Sequence, residues 1–99
     1  MEILNFEFAA QGVAKQRALV GCVGSGDLEI LVEPKEGETL NIQVTTSVDG
    51  SQVRWKNLFE RVFAMQQLPA VNIEINDFGA TPGVVRLRLE QALEEVQHD

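Results

Sequence analysis

Apolar and polar residues alternate along most of the first half of the chain, which is the pattern of β-strands with one buried face. Four segments have strand character, and the second of them is apolar on both faces, which favours a central strand. Because short connections join the last three, we expect these to form an antiparallel meander. The four segments are residues 3–8, 17–23, 27–33 and 39–48.

The period then changes from two residues to three or four, which predicts an amphipathic helix within residues 49–67. Asp49 or Ser51 can supply the side-chain oxygen that caps its first free amides. Pro69 ends the segment, and residues 70–76 alternate again as a strand. The apolar stripe of the helix consists of Trp55, Leu58, Phe59, Val62 and Phe63.

The pattern of the last segment is compatible with either a strand or a helix. Residues 84–90 alternate well enough for a strand, but the pattern continued to the C-terminus gives a helical stripe. Thr81 followed by Pro82 is a good helix start, so we favour the helix. The order ββββαβα then predicts an α+β fold, a two-layer sandwich whose mostly antiparallel sheet of about five strands carries two helices on one face. The stripe is Val85, Leu89, Ala92, Leu93 and Val96.

The chain length and the net charge limit the classes of function that this protein can have. A chain of 99 residues predicts one domain, residues 1–99. The net charge of −7 disfavours nucleic-acid binding and suits docking to basic pockets of partner proteins. Cys22 is the only cysteine, so neither an internal disulfide nor a zinc cluster is expected; we interpret it as a small buried residue. Without a signal-peptide pattern or an apolar span, we expect a cytoplasmic protein with no direct membrane contact.

The stretch Gly24-Ser25-Gly26-Asp27 is the main candidate site. Glycines on both sides of one serine, between two strands, predict a hairpin turn that exposes the hydroxyl. The hydroxyl needs a base, and the only histidine, His98, is one residue from the C-terminus. We therefore expect no catalytic residue and no metal site; another enzyme would modify Ser25. Asp27 supports the turn or helps dock that enzyme.

Two other features have plainer interpretations. The string Asp-Phe-Gly at residues 77–79 predicts the end of a strand followed by a turn, because the rest of a kinase signature is missing. Arg54, Lys56 and Arg61 on the outer side of the first helix are plausible partner contacts, although a solvated helix face is the favoured interpretation.

Three long segments resemble the acyl carrier (delta) subunit of malonate decarboxylase: "RALVGCVGSGDLEIL", "VDGSQVRWKNLFERVF" and "INDFGATPGVVRLRLEQALEE". A weaker similarity, through the Ser-Gly-Asp turn and the last helix, is to the acyl carrier (gamma) chain of citrate lyase. In these families the turn serine bears 2′-(5″-phosphoribosyl)-3′-dephospho-CoA through a phosphodiester. The resemblance places this group on Ser25 and implies a non-catalytic carrier, with Gly24, Gly26 and Asp27 supporting the turn.

The resemblance also implies the reaction cycle and the partners. An acetyl-carrier:malonate transferase subunit would exchange acetyl for malonyl and release acetate. Malonyl-carrier decarboxylase subunits would then release CO₂ and restore the acetyl form. A prosthetic-group transferase and a malonyl transferase would load the carrier. Two alternatives stay open: a citrate lyase carrier chain, and a cofactor-free α+β interaction module in which Ser25 is only part of a turn.

Overall fold

The structure is a computed structural model that describes residues 1–13, 18–21, 27–64 and 68–97. Strands occupy most of the first half, and each of the two helices follows a strand. The elements are β1 (Glu2–Ala9), β2 (Gly12–Val13), β3 (Ala18–Gly21), β4 (Leu28–Pro34), β5 (Thr39–Thr46), α1 (Gln52–Phe63), β6 (Pro69–Asp77) and α2 (Pro82–Gln97).

The strands form one mixed sheet in the order β1-β5-β6-β4-β3, and the two-residue β2 pairs with β6 off this path. The pairs β1–β5, β3–β4 and β4–β6 are antiparallel. The pairs β5–β6 and β2–β6 are parallel. The predicted α+β fold with a mostly antiparallel sheet is confirmed, and β2 is an addition that the alternation did not predict.

The predicted meander is wrong in one of its two pairings. β3 and β4 are antiparallel neighbours as expected, but β6 lies between β4 and β5. The chain leaves β5, passes through α1 and returns as β6 parallel to β5, which is the crossover that parallel neighbours require. β3, predicted to be central, stands at the end of the strand order, because β6 takes the central place.

Both helices pack on the same face of the sheet, as predicted. The rings of α1 meet those of β1, and Phe6 and Phe59 lie 5.1 Å apart between ring centroids. α2 packs over β3 and β4. Its predicted stripe is entirely buried, and so is that of α1 apart from the half-buried Leu58. The sheet contributes fully buried aliphatic side chains from three strands: Ile30, Val32, Leu40, Val44, Val71 and Ile75.

The two helices start differently. Thr81 Oγ1 accepts a hydrogen bond from the Val84 N–H at 3.3 Å, and Pro82 is the first helical residue, so the helical interpretation of the last segment is confirmed. Ser51 stands at the start of α1 but does not cap it with its side chain. Its hydroxyl donates to the Val48 carbonyl at 3.1 Å instead. The predicted cap is wrong, because Ser51 (φ −99°, ψ 10°) lacks the extended backbone of a capping residue.

Candidate functional site

The predicted attachment residue belongs to the connection between β3 and β4. These strands are antiparallel neighbours, with Gly21 opposite Glu29. Ser25 is four positions from each of these two residues in the sequence, so it is the midpoint of the segment that joins them. The pairing confirms that the segment connects adjacent antiparallel strands.

Only the last residue of the predicted turn is described. Gly24, Ser25 and Gly26 lie outside the described residues, as does Cys22. Asp27 is half-buried, and its carbonyl accepts a hydrogen bond from the Phe78 N–H at 2.9 Å. This bond joins the start of β4 to the turn that follows β6, two residues from Ser25.

The turn after β6 is held by the side chain of Asp77. Its Oδ1 accepts hydrogen bonds from the Gly79 N–H at 3.1 Å and the Ala80 N–H at 2.9 Å. Gly79 has a φ of 117°, in the left-handed region that glycine adopts without strain. The prediction of a strand end followed by a turn at residues 77–79 is confirmed.

The same carboxylate belongs to a buried polar network at this end of the sheet. Thr46 Oγ1 donates to Asp77 Oδ2 at 2.9 Å and accepts from the Val48 N–H at 3.1 Å. Thr46, Ser51 and Asp77 are the buried polar residues of the described chain, and all three lie at this end. The network fixes the ends of β5 and β6 beside the start of β4.

Sequence reasoning missed this network, although a signal for it exists. Thr46 continues the inward positions of β5 two residues after Val44, and Asp77 continues those of β6 two residues after Ile75. A polar residue at an inward position is informative, because buried polar groups need hydrogen-bond partners. The register confirms the pairing, since Thr46 lies opposite Asp77.

Replacing Asp77 by alanine should lower the free energy of unfolding by about 2–3 kcal/mol, because three donors lose their acceptor in a buried site. Denaturant unfolding of Asp77→Ala measures this loss. Asp49→Ala is the matched control: Asp49 is 81% exposed and lies 3.9 Å from the N-terminal amine, so its loss should cost less than about 0.5 kcal/mol. Equal stability of Asp77→Ala and Asp49→Ala would contradict a structural role for the network.

Both helices begin at this end of the molecule, and a groove runs between them. Arg54 and Arg61 of α1 and Arg86 of α2 line it, whereas Lys56 does not. The sequence interpretation of Arg54 and Arg61 as a solvated helix face is therefore incomplete: both are exposed, but they share one groove. Arg86 could not be assigned to this groove without knowing how the helices pack.

The ranges that the structure describes contain neither a cluster of metal-ligating side chains nor a membrane-spanning helix. In those ranges, His, Cys, Asp and Glu side chains nowhere form a group of three or more that could hold a metal ion. Neither of the helices described is long and apolar enough to cross a membrane.

The sequence matches one protein family over most of its length. The profile of the ACP family, malonate decarboxylase delta subunit (MdcD), matches residues 15–96. The chain belongs to the malonate decarboxylase delta-subunit family. Two proteins named malonate decarboxylase acyl carrier protein are similar to it. That of Azotobacter vinelandii is 67% identical over 98 residues, 99% of each chain. That of Pseudomonas fluorescens is 66% identical over 99 residues, the whole of both chains.

A solved structure has the same fold as this delta-subunit family member. It is the crystal structure of a Pseudomonas malonate decarboxylase hetero-tetramer in complex with malonate. One of its chains is 64% identical, superposes with a TM-score of 0.90, and the match covers 97% of this chain and 99% of that one. The resemblance predicted from three segments is confirmed, and the matched range includes the β3–β4 connection, the polar network and the groove.

Proposed function

We propose that this chain is the acyl carrier subunit of a malonate decarboxylase. It carries acetyl and malonyl groups on 2′-(5″-phosphoribosyl)-3′-dephospho-CoA attached to Ser25, for conversion of malonate to acetate and CO₂. The observation that carries the proposal is the identity of 66–67% over the full chain with malonate decarboxylase acyl carrier proteins.

The position of Ser25 supports the attachment. The serine is the midpoint of a connection at the end of a sheet whose neighbouring strand ends are tied together by the Asp77 network. Attachment would form a bond between Ser25 Oγ and the phosphorus of an activated polyphosphate form of the group. The bond from that phosphorus to its diphosphate leaving group would break, and the transferase would take the hydroxyl proton.

The described residues fit a group that contains phosphates. Three arginines line the groove between the helices, and guanidinium groups are well suited to phosphate recognition. When bound, the prosthetic group supplies the thiol whose thioester holds the acyl unit and stabilises the carbanion left by loss of CO₂. The chain supplies the tether, which raises the effective concentration of the acyl unit at each partner's active site.

The remaining chemistry is assigned to partner proteins. These are the acetyl-carrier:malonate transferase subunit, the malonyl-carrier decarboxylase subunits, and the transferases that load the group and the first malonyl unit. The net charge of −7 favours docking to basic surfaces, where charge sets the rate and orientation of encounter. The homologous chain belongs to a hetero-tetramer, which agrees with a role as one subunit of a complex.

The intact mass of the protein from cells that consume malonate tests the proposal. We expect a population heavier than the bare chain by one phosphoribosyl-dephospho-CoA, with acetyl or malonyl on its thiol. A bare mass in such cells would favour the cofactor-free interaction module. The acyl groups of citrate cleavage on the thiol, in place of malonyl, would favour a citrate lyase carrier chain.

A further inference from the structure

The groove between α1 and α2 is a concentration of positive charge on an acidic protein. We define the arginine groove by Arg54, Leu58 and Arg61 of α1 with Pro82, Gly83 and Arg86 of α2. The groove has a volume of about 690 Å³, within the size range of ligand sites. The chain has eight Lys and Arg residues and a net charge of −7, so three cations in one groove are not expected from composition alone.

The cations of the groove are available for a ligand. In the part of the chain that the structure describes, no ion pair involves Arg54 or Arg61. Arg86 contacts Glu90 of the same helix at 3.0 Å, and the two side chains are 57% and 43% exposed. Exposed ion pairs of this spacing contribute little to stability, so a phosphate can displace the glutamate. Among the described residues that line the groove, none is acidic.

The start of α2 adds backbone donors to the same groove. Thr81 already accepts hydrogen bonds from the N–H groups of Val84 and Val85. Pro82 has no N–H, and the Gly83 N–H belongs to the first turn, where amides have no partner within the helix. Beyond the adjacent residues and the backbone of the helix itself, no atom lies within 4 Å of the position where a Cβ on Gly83 would stand, so no other part of the described chain covers this side of Gly83. The positive end of the helix dipole further favours an anion.

The groove adjoins a second cavity, which is also lined by the turn after β6. This cavity, of about 200 Å³, shares Arg54, Leu58 and Pro82 with the groove. Trp55 lines it, and the indole Nε1 is a buried donor without a partner among the described residues. Asp77, Gly79 and Ala80 also line the cavity, and we call these three the wall residues.

Asp27, two residues after Ser25 in the sequence, is hydrogen-bonded beside this wall. The Phe78 N–H donates to the Asp27 carbonyl at 2.9 Å, and Phe78 is adjacent in sequence to two wall residues. Asp27 is two residues from Ser25, which limits the separation of their Cα atoms to about 7 Å. A nucleotide attached to Ser25 is therefore tethered two residues away from a hydrogen bond that lies beside the cavity wall.

We infer that the arginine groove binds the diphosphate of the prosthetic group when the carrier is between partners. The inference rests on the proposed function, since it needs a diphosphate-bearing group on Ser25. Arg54, Arg61, Arg86 and the Gly83 N–H supply the donors. The 200 Å³ cavity beside Trp55 adjoins the groove and is also lined by the turn after β6. The attached group is thereby held along the surface between the helices rather than extended into solvent.

Nuclear magnetic resonance of ¹⁵N-labelled apo and holo protein tests this inference, with the mass of each sample measured in parallel. In the wild type, attachment should shift the Gly83 amide and the Trp55 indole N–H, and the ³¹P resonances of the diphosphate should differ from those of the free nucleotide. Arg54→Gln combined with Arg61→Gln and Arg86→Gln should abolish both differences while Ser25 stays loaded. The single change Arg54→Gln should reduce the shifts. Lys56→Gln is the matched control, because it removes a charge from the same helix outside the groove, and it should leave the shifts unchanged.

The outcomes separate the two proposals. A loaded protein with unshifted Gly83 and Trp55 signals, or shifts that survive in the triple variant, would overturn the groove assignment and leave the carrier function intact. The Gly83 and Trp55 signals could instead shift only when partner subunits are added, and equally in apo and holo protein. That result would identify the groove as a protein interface and would also overturn the assignment. An unloaded wild-type chain would overturn the proposed function and this inference with it.

Discussion

Ser25→Ala should abolish malonate decarboxylation by the assembled complex while leaving the carrier folded. The proposed function requires a covalent attachment point at this residue, and alanine has no oxygen to form the proposed phosphodiester. The cost in stability should stay within about 0.5 kcal/mol, as for most surface substitutions. Three measurements on the same preparation check this: release of CO₂ from malonate, intact mass, and the melting temperature. The mass should equal that of the bare chain.

Two control substitutions make the result specific. Ser47→Ala makes the same chemical change at an exposed serine of the same end of the sheet, and it should leave both loading and activity unchanged. Cys22→Ala removes the chain's only thiol, so retained activity would show that acyl groups are not carried on Cys22. Full activity of Ser25→Ala would contradict the assigned attachment residue. A large fall in its melting temperature would show that the hydroxyl supports the fold.

Local pattern was sufficient for the helices and for every described strand except the two-residue β2, but it did not predict which strands are neighbours in the sheet. Alternation identifies which side chains of a strand face the core, and the step of three or four residues identified both helices, including α2 with its Thr81 cap. The position of β6 between β4 and β5 depends on packing between distant segments, which periodicity does not record. The same limitation made β3 look central, since an apolar segment can also stand at the end of the strand order.

The sequence predicted which segment contains the candidate site, but not which residues from other parts of the chain form the nearby surface. The glycines around Ser25 indicated a hairpin connection, and the β3–β4 pairing agrees with it. The arginine groove brings Arg54 and Arg86 together from positions 32 residues apart in the sequence, so it exists only after the helices pack. Family resemblance supplied the proposed chemistry of Ser25, whereas the surrounding residues could be assigned only from three-dimensional contacts.

Phe59→Ala should have the largest effect on stability, a loss of about 3–5 kcal/mol. Phe59 is fully buried at the centre of an aromatic cluster. The rings of Phe6 and Trp55 lie 5.1 and 5.7 Å from it between centroids. The ring of Phe63 stacks on it at 5.9 Å with an interplanar angle of 9°. For a domain of this size the melting temperature should fall by at least about 12 °C, measured by thermal unfolding.

Phe78 provides the matched control for the same chemical change. Phe78 is 55% exposed, so Phe78→Ala should change the free energy of unfolding by less than about 0.5 kcal/mol. If Phe59→Ala does not fold, Phe59→Leu should give an intermediate loss, because leucine fills part of the cavity. A melting temperature of Phe59→Ala close to that of Phe78→Ala would contradict the packing of α1 on β1. The packing of α1 on β1 also positions Arg54 and Arg61. If α1 did not pack there, the groove would lose the side that these two residues form.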